Sequence, residues 1–335
     1  MKFPNSTYYS LGLAVILATS IVWLNFNSTK KPNVFLEGKA LGVFYAISYE
    51  GDPKWEKSLD SLIHEIDLAV NLQLPSSEIS RFNRFGFLEN YSPHFIQIIE
   101  TSTFYHYLSG GVVSHTMLPL INAWGNGFSN KTQMTKAKVD SLISLCDLRN
   151  IEMGTHVIKS SQDGIMLDLN YLDKGYLIDL LANFLLKKGI QNFQIEFGLD
   201  GFTHGNSNKK SNLNFLIKLP EEFKKEYFFM INDLLKNTAY SSSGSLEKFY
   251  VDEYGNKHSH LIDPRTGYPI TNSILTTHII SPRCIKADAV ATMCMILELE
   301  DAISMISNDP ELEGIIIYNK NGKLQAWLSP GIRKI

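Results

Sequence analysis

Lys257-His258-Ser259-His260-Leu261-Ile262-Asp263-Pro264-Arg265-Thr266-Gly267-Tyr268-Pro269 sets imidazole, carboxylate, guanidinium and hydroxyl groups within a few residues of an Asp-Pro and a Thr-Gly step. Both steps bend a chain and hold the bend with side-chain-to-backbone hydrogen bonds, so this backbone is a corner. Reactive groups concentrated on such backbone suit the rim of a ligand site. The same residues also suit a hairpin corner held by its own hydrogen bonds, and the stretch alone leaves both open.

Downstream, Ile274 to Ile280 reads as a strand, and Lys286-Ala287-Asp288-Ala289-Val290-Ala291-Thr292 opens an apolar helix running to about Leu299. Asp288 and Thr292 are four residues apart and share one helical face. A carboxylate and a hydroxyl at that spacing offer two oxygen ligands to a hard cation such as Mg2+. An aspartate near a helix start also answers the helix dipole, and a threonine can bond back to the carbonyl four residues earlier. Ile315 to Tyr318 and Leu324 to Leu328, joined through Asn321-Gly322, close the chain as a hairpin. Upstream of the corner, Ser241-Ser242-Ser243-Gly244-Ser245 supplies hydroxyls and N–H donors.

Ile165 to Leu169 reads as a buried strand carrying Asp168, and Lys174-Gly175 begins a helix from Tyr176 to Lys188 that Gly189 ends. A strand, a polar turn and a helix N-terminus together form a place where N–H groups and the dipole receive a phosphate, and Lys174 adds a full charge there. Strand-to-helix turns with a lysine also occur without any ligand. Asn192 to Phe197 adds a strand, with Gly198 and Asp200 in the turn after it; Gly205 to Asn212 reads as a loop and Leu213 to Leu219 as a further strand.

In the first third, Val34 to Tyr49 alternates as two strands with a tight bend, around Gly38 and Gly42. Asp52-Pro53 opens a helix with Trp55, Leu59, Leu62, Ile63 and Ile66 on its inner face and His64 toward solvent. Ser76 to Asn83, carrying Arg81, reads as a polar loop too short and mixed for regular structure. Ser92-Pro93 starts the next helix with an N-cap and an N1 proline, and Ser109-Gly110-Gly111 ends it.

The 335 residues are 44% hydrophobic and 19% charged, enough for a large buried core. A net charge of -3 provides no basic field, which argues against nucleic acid as a partner. The three cysteines, Cys146, Cys284 and Cys294, lack metal-ligand spacing and read as buried apolar residues, with one disulfide left open. Tyr8 to Leu24 is almost wholly apolar between Lys2 and Lys30-Lys31. Its length is near the roughly 17–25 residues of a spanning helix, so residues 1–30 read as a signal peptide or, because Ile21 to Leu24 prolong the run, an N-terminal transmembrane signal anchor. No cysteine follows the run, so a lipid-modified start is not expected. Residues 31–335 then form one domain.

Five stretches in order resemble the ApbE family, the FAD:protein FMN transferases, over nearly all of the chain after the N-terminal segment. They are Ser77-Glu78-Ile79-Ser80-Arg81-Phe82-Asn83, Pro119-Leu120-Ile121-Asn122-Ala123-Trp124-Gly125, Asp168 with Lys174-Gly175-Tyr176, His260 to Pro269, and Ala287 to Thr292. The resemblance implies a mixed α/β (α+β) fold, with mixed sheets flanked by helices around an FAD cleft. It implies a bound Mg2+ and transfer of FMN from FAD to a Thr or Ser hydroxyl of an exported flavoprotein, releasing AMP. By the same likeness, FAD contacts fall at Leu41, Val112, Val113, Ser114, Asp168, Lys174 and Ile262. The metal ligands are the Tyr171 carbonyl, Asp288 and Thr292, and the catalytic set is His260, Asp288 and Lys174. His260 is the candidate base for the acceptor hydroxyl or the group that orients it, since an imidazole with a pKa near ~6.5 exchanges protons at neutral pH. The acceptor would be a subunit of an electron-transfer complex, and the body would sit on the periplasmic side of the cytoplasmic (inner) membrane. The chain departs from the pattern at Val113-Ser114-His115, where a carboxylate is usual, at Tyr171, Leu172 and Asp173, where small residues are usual, and at Leu199 and Gln73. Two other readings share these residues: a Mg-dependent FAD pyrophosphatase giving FMN and AMP, and a non-catalytic, anchored FAD-binding module.

Overall fold

Alternation of Val34, Leu36 and Ala40, all buried, with exposed neighbours makes β1 (Asn33–Ala40) a strand with one face inward. In the computed structural model, which describes residues 32–128, 132–205, 237–244, 249–251 and 257–333, β1 turns at Leu41-Gly42 into β2 (Val43–Glu50). Both turn residues have positive φ, 50° and 76°, as a two-residue hairpin loop needs. Asp67 accepts the Leu41 N–H at 2.8 Å and holds this non-glycine residue in place. Asp52 then caps a short 3-10 turn, and α1 (Glu56–Val70) follows, with Leu59, Ile63 and Ile66 buried and His64 exposed.

Ser76 to Asn83 is not a loop. Glu78–Phe85 forms α2, because Ser77 accepts the Ser80 N–H at 3.2 Å to cap one end and Gly86, at φ 75°, ends the other. Ile79 and Phe82, three residues apart, are fully buried, and that burial offsets the helix's shortness. After β3 (Phe87–Glu89), α3 (Pro93–Leu108) starts at the expected Ser92-Pro93. Glu78 ties the two helices by accepting the Ser92 N–H and O–H, each at 2.9 Å. The chain continues through α4 (Leu118–Ala123), α5 (Lys136–Leu145), β4 (Ile151–Met153) and β5 (Val157–Ser160).

Ile165 to Leu169 is extended and buried but joins no sheet. Its strand-like hydrogen bonds go to a side chain instead: Asn83 donates to the Leu167 carbonyl at 2.8 Å and accepts the Leu167 N–H at 2.6 Å, and the Asp168 N–H reaches the His115 carbonyl at 2.8 Å. Helix α6 (Asp173–Lys187) begins three residues before Tyr176. Strands β6 (Phe193–Phe197) and β7 (Asp200–His204) follow, with Asp200 at the strand start rather than in the turn. Then come β8 (Thr238–Gly244), β9 (Phe249–Val251), β10 (Lys257–Ser259), β11 (Ile274–Ser281), α7 (Cys284–Ile296), α8 (Leu299–Ser307), β12 (Glu313–Lys320) and β13 (Lys323–Leu328).

The main sheet has eight strands in the order β1-β2-β6-β7-β8-β11-β12-β13. The expected mixed sheets are corrected: every described strand pair is antiparallel, as hairpin links such as β1–β2, β6–β7 and β12–β13 dictate. Smaller sheets β3-β5-β4 and β10-β9 lie apart. Cys146, Cys284 and Cys294 are buried and free, so no disulfide forms among them.

Helices α6 and α7 cross on the main sheet and complete each other's N-termini. Helix α7 has no side-chain cap of its own; Asp179 of α6 accepts the Cys284 and Ile285 N–H groups at 2.7 and 3.3 Å. In return, Asp288 of α7 accepts the Gly175 N–H at 3.0 Å, in the first turn of α6. The N-terminal apolar segment, the loop expected beyond Gly205 and the strand expected over Leu213 to Leu219 lie outside the described residues. Among the described residues no helix is long and apolar enough to cross a membrane.

Candidate active site

The α6–α7 crossing brings the sequence's candidates together. A cleft of about 590 Å3, within the ~300–1,000 Å3 usual for cofactor sites, opens between the ends of the central strands and the corner at His260. Leu41 enters it from the β1–β2 turn, and Val112, Val113 and Ser114 from the segment after α3. Asp168, Tyr171 and Lys174 come from the approach to α6, His260 and Ile262 from the corner, and Asp288 and Thr292 from α7. The expected FAD contacts, metal ligands and catalytic residues therefore line one cavity.

The opening stretch divides between a turn and the cleft wall. Asp263 accepts the Arg265 N–H at 2.9 Å and both ends of its guanidinium, while the Asp263 carbonyl takes the Thr266 and Gly267 N–H groups at 3.2 and 2.8 Å. Asp263 and Arg265 therefore build the turn, and His260, Ile262 and Pro264 face the cleft. The Trp124 indole N–H reaches the Gly267 carbonyl at 2.9 Å and the Asn126 amide the His260 carbonyl at 3.2 Å, fixing the corner to the segment after α4.

Lys174 is the electrostatic centre. Its Nζ lies 3.0 Å from Asp173 and 3.9 Å from Asp200, and it donates to the Asn170 carbonyl at 2.8 Å. Burial alone would lower the lysine's pKa, but Asp173, Asp288 and Asp200 raise it well above the ordinary value, so the charge stays on. Burial raises Asp288 well above the usual carboxylate range, with Lys174 pulling against it and Asp200 and Asp173 adding to it. Burial likewise raises Asp168 to about 6, opposed by the Asn170 N–H. Burial raises Asp173 and Asp200 as well, with Lys174 pulling against both, so one ammonium is shared among three acidic groups and falls short of what their ionised forms require.

That shortage, with the chemistry of the donors, fits a hard cation. Asp288 and Thr292 supply a carboxylate and a hydroxyl one turn apart, and Tyr171 lines the same cleft. Among the described residues no three His, Cys, Asp or Glu side chains converge as a metal centre.

Three functional neighbours escaped the sequence reading. Asp200 had been placed in a turn; it accepts the Ser241 hydroxyl at 2.5 Å and lines the cleft. Thr276 and His278 lie on β11, which the sequence marks as a strand and nothing more. Tyr171 turns its ring away, its hydroxyl meeting Ser102 at 2.5 Å on α3, and Ser102 in turn meets His115 Nδ1 at 2.7 Å. The run of hydroxyls at 241–243 was a usable signal for the first; nothing in the sequence pointed to the others.

The FAD:protein FMN transferase of Buchnera aphidicola subsp. Schizaphis graminum is 26% identical over 322 residues, covering 93% of each chain. That of Escherichia coli strain K12 is 25% identical over 311 residues, 88% of this chain and 87% of the other. Among solved structures, the apo form of the Pseudomonas stutzeri flavinyl transferase ApbE superposes with a TM-score of 0.75 at 16% identity, over 92% of this chain and 98% of that one. The flavin transferase ApbE from Vibrio cholerae gives 0.71 at 20% identity, over 90% and 99%. The model of the ApbE family matches residues 41–316, a span that holds every cleft residue described above, and the chain belongs to that family.

Proposed function

We propose that the chain transfers FMN from FAD to a Thr or Ser hydroxyl of a flavoprotein acceptor, releasing AMP. The observation that carries this is the meeting of Lys174, at a helix N-terminus, with Asp288, Thr292 and His260 in one cleft. The acceptor oxygen forms a bond to the phosphorus of the FMN half, the bridging P–O bond breaks, and AMP leaves with the bridging oxygen. His260, at the rim, takes the acceptor's proton. Lys174, held charged, faces the diphosphate as negative charge gathers on its oxygens. Asp288, Thr292 and the Tyr171 carbonyl would hold Mg2+, which when bound supplies charge neutralisation at the diphosphate. An exported acceptor belonging to an electron-transfer complex, and a body held outside the cytoplasmic membrane by residues 1–30, complete the reading; the apolar run at Tyr8 to Leu24 supports its last part.

The test mixes the chain with FAD, Mg2+ and a flavin-acceptor domain, then reads covalent flavin fluorescence on a denaturing gel and AMP by chromatography. A fluorescent acceptor band, lost with EDTA or on Asp288→Ala, is the expected result. AMP with free FMN and an unlabelled acceptor would instead establish a pyrophosphatase. FAD bound with neither product would leave a binding module.

A further inference from the structure

Three side chains on β8 and β11 settle the direction of a hydroxyl in the cleft. Ser242 and His278 are cross-strand partners, and the Ser242 Oγ lies 2.8 Å from His278 Nδ1. His278 Nε2 lies 3.3 Å from the Thr276 Oγ1, and Thr276 donates its hydroxyl proton to the Ser243 carbonyl at 3.0 Å. A hydroxyl has one proton. Since Thr276 spends it on a carbonyl, its oxygen meets His278 as an acceptor, and the His278 proton must sit on Nε2. Nδ1 is then a bare lone pair, and the Ser242 proton points back at it. The opposite order would set the Thr276 oxygen lone pairs against the Ser243 carbonyl with no proton between them.

His278 is buried, and burial lowers its pKa to about 4, so the ring is neutral and the order stays fixed through the neutral range. Burial makes His278 a weak base, so this relay does not activate Ser242 as a nucleophile. What it does is orient. Ser242 lines the cleft, and its N–H is engaged by Asp200, which itself lies 3.9 Å from Lys174.

We propose that Ser242 is a specificity-determining acceptor in the cleft, showing only lone pairs to the ligand and so selecting a heteroaromatic N–H donor, with His278 as the positioning residue that sets its polarity. This rests on the reading of FAD as the substrate. FAD offers that chemistry in two places, the amino group of its adenine and the N3–H of its isoalloxazine. Ribose and ribityl hydroxyls rotate to donate or accept and are not discriminated by a polarised partner.

The test measures binding of the full chain by flavin fluorescence quenching with three ligands: FAD, the dinucleotide whose adenine is replaced by unsubstituted purine, and N3-methyl FAD. The expected result is that one analogue binds at least about tenfold more weakly than FAD, because a donor has been removed from in front of a part-buried acceptor. Which analogue it is identifies the ring. Ser242→Ala is expected to bring FAD and that analogue within about threefold of each other, and His278→Leu, which frees the Ser242 proton, to narrow the same gap. Circular dichroism melts report whether each variant folds, and if His278→Leu does not, Ser242→Ala carries the test alone. Equal binding of both analogues and FAD to the unaltered chain, or a gap that survives Ser242→Ala, overturns the proposal. Failure of the chain to bind FAD at all would overturn the substrate reading as well, and so is distinguishable from failure of this inference.

Discussion

Replacing Gly175 by alanine should damage fold and site together. A Cβ at this position would stand 2.7 Å from Ile285 Cα, 2.8 Å from the Cys284 carbonyl oxygen and 2.9 Å from Asp288 Cβ. Two of these are backbone atoms of α7, so no side-chain rotation relieves them. Restoring an ordinary contact of ~3.5 Å requires α6 and α7 to part by about 0.8 Å. The Gly175 N–H to Asp288 bond, 3.0 Å long, then stretches beyond hydrogen-bonding range. Overpacking costs roughly 1–3 kcal/mol, and a hydrogen bond to a charged group about 1.5–3. Alanine's better helix propensity returns about 1 kcal/mol. The net loss is about 2–5 kcal/mol, read as a lower urea midpoint and a fall of roughly 5–15 °C in melting temperature. FAD affinity should fall too, since Asp288 and Thr292 ride on the displaced helix. A Gly175→Ala chain as stable as the parent, binding FAD equally well, would refute the claimed closeness of the crossing.

His278 is neutral in the fold at about 4 against an ordinary 6.5, so protons bind preferentially to the unfolded chain. Its contribution is complete above pH 6.5 and is lost as pH falls toward 4, about 3 kcal/mol in all. Urea titrations of the parent and His278→Gln should therefore converge at acid pH; parallel curves would contradict the assignment. Asp173→Asn removes one of three carboxylates around Lys174, so FAD binding measured in EDTA should tighten by about tenfold, and no change would mean that the diphosphate does not approach Lys174. Tyr171→Phe deletes the hydroxyl that meets Ser102 and should cost about 1–2 kcal/mol in denaturant, without adding to the cost of Ser102→Ala, whereas additive losses would separate the two residues.

Cleft membership was legible because each motif combines a turn-forming element with a reactive side chain, and such combinations mark places where backbone is bent toward a ligand. Asp288 with Thr292, and Lys174 with Gly175, needed only helical spacing to be placed correctly. The misreadings have two causes, local capping that length alone does not reveal and partners distant in sequence. Ser76 to Asn83 lacked the length for a helix, yet a serine cap, a left-handed Gly86 and two buried side chains supplied what length did not. Ile165 to Leu169 had the composition of a strand, but its partner is the side chain of Asn83, 84 residues away, which no local pattern discloses. The antiparallel order of the sheet is equally non-local: β2 pairs with β6 across more than 140 residues, and only the tight hairpins were written in neighbouring residues.

The unusual residues before Lys174 are accommodated in two different ways, and the difference bears on mechanism. Tyr171 adds bulk, but its hydroxyl meets Ser102 on α3, which in turn meets His115 Nδ1, so the bulk becomes an anchor for the turn before Lys174. Asp173 adds charge, and this has nowhere to go: it is 2% exposed and pairs with the lysine that the diphosphate would need. With Asp200 and Asp288 also facing it, Lys174 alone cannot offset both the protein's carboxylates and an incoming diphosphate. Under the proposed function, FAD binding and cation binding would therefore be coupled more tightly by this turn than by one with small neutral residues, because a cation would offset the acidic groups before it offset the diphosphate.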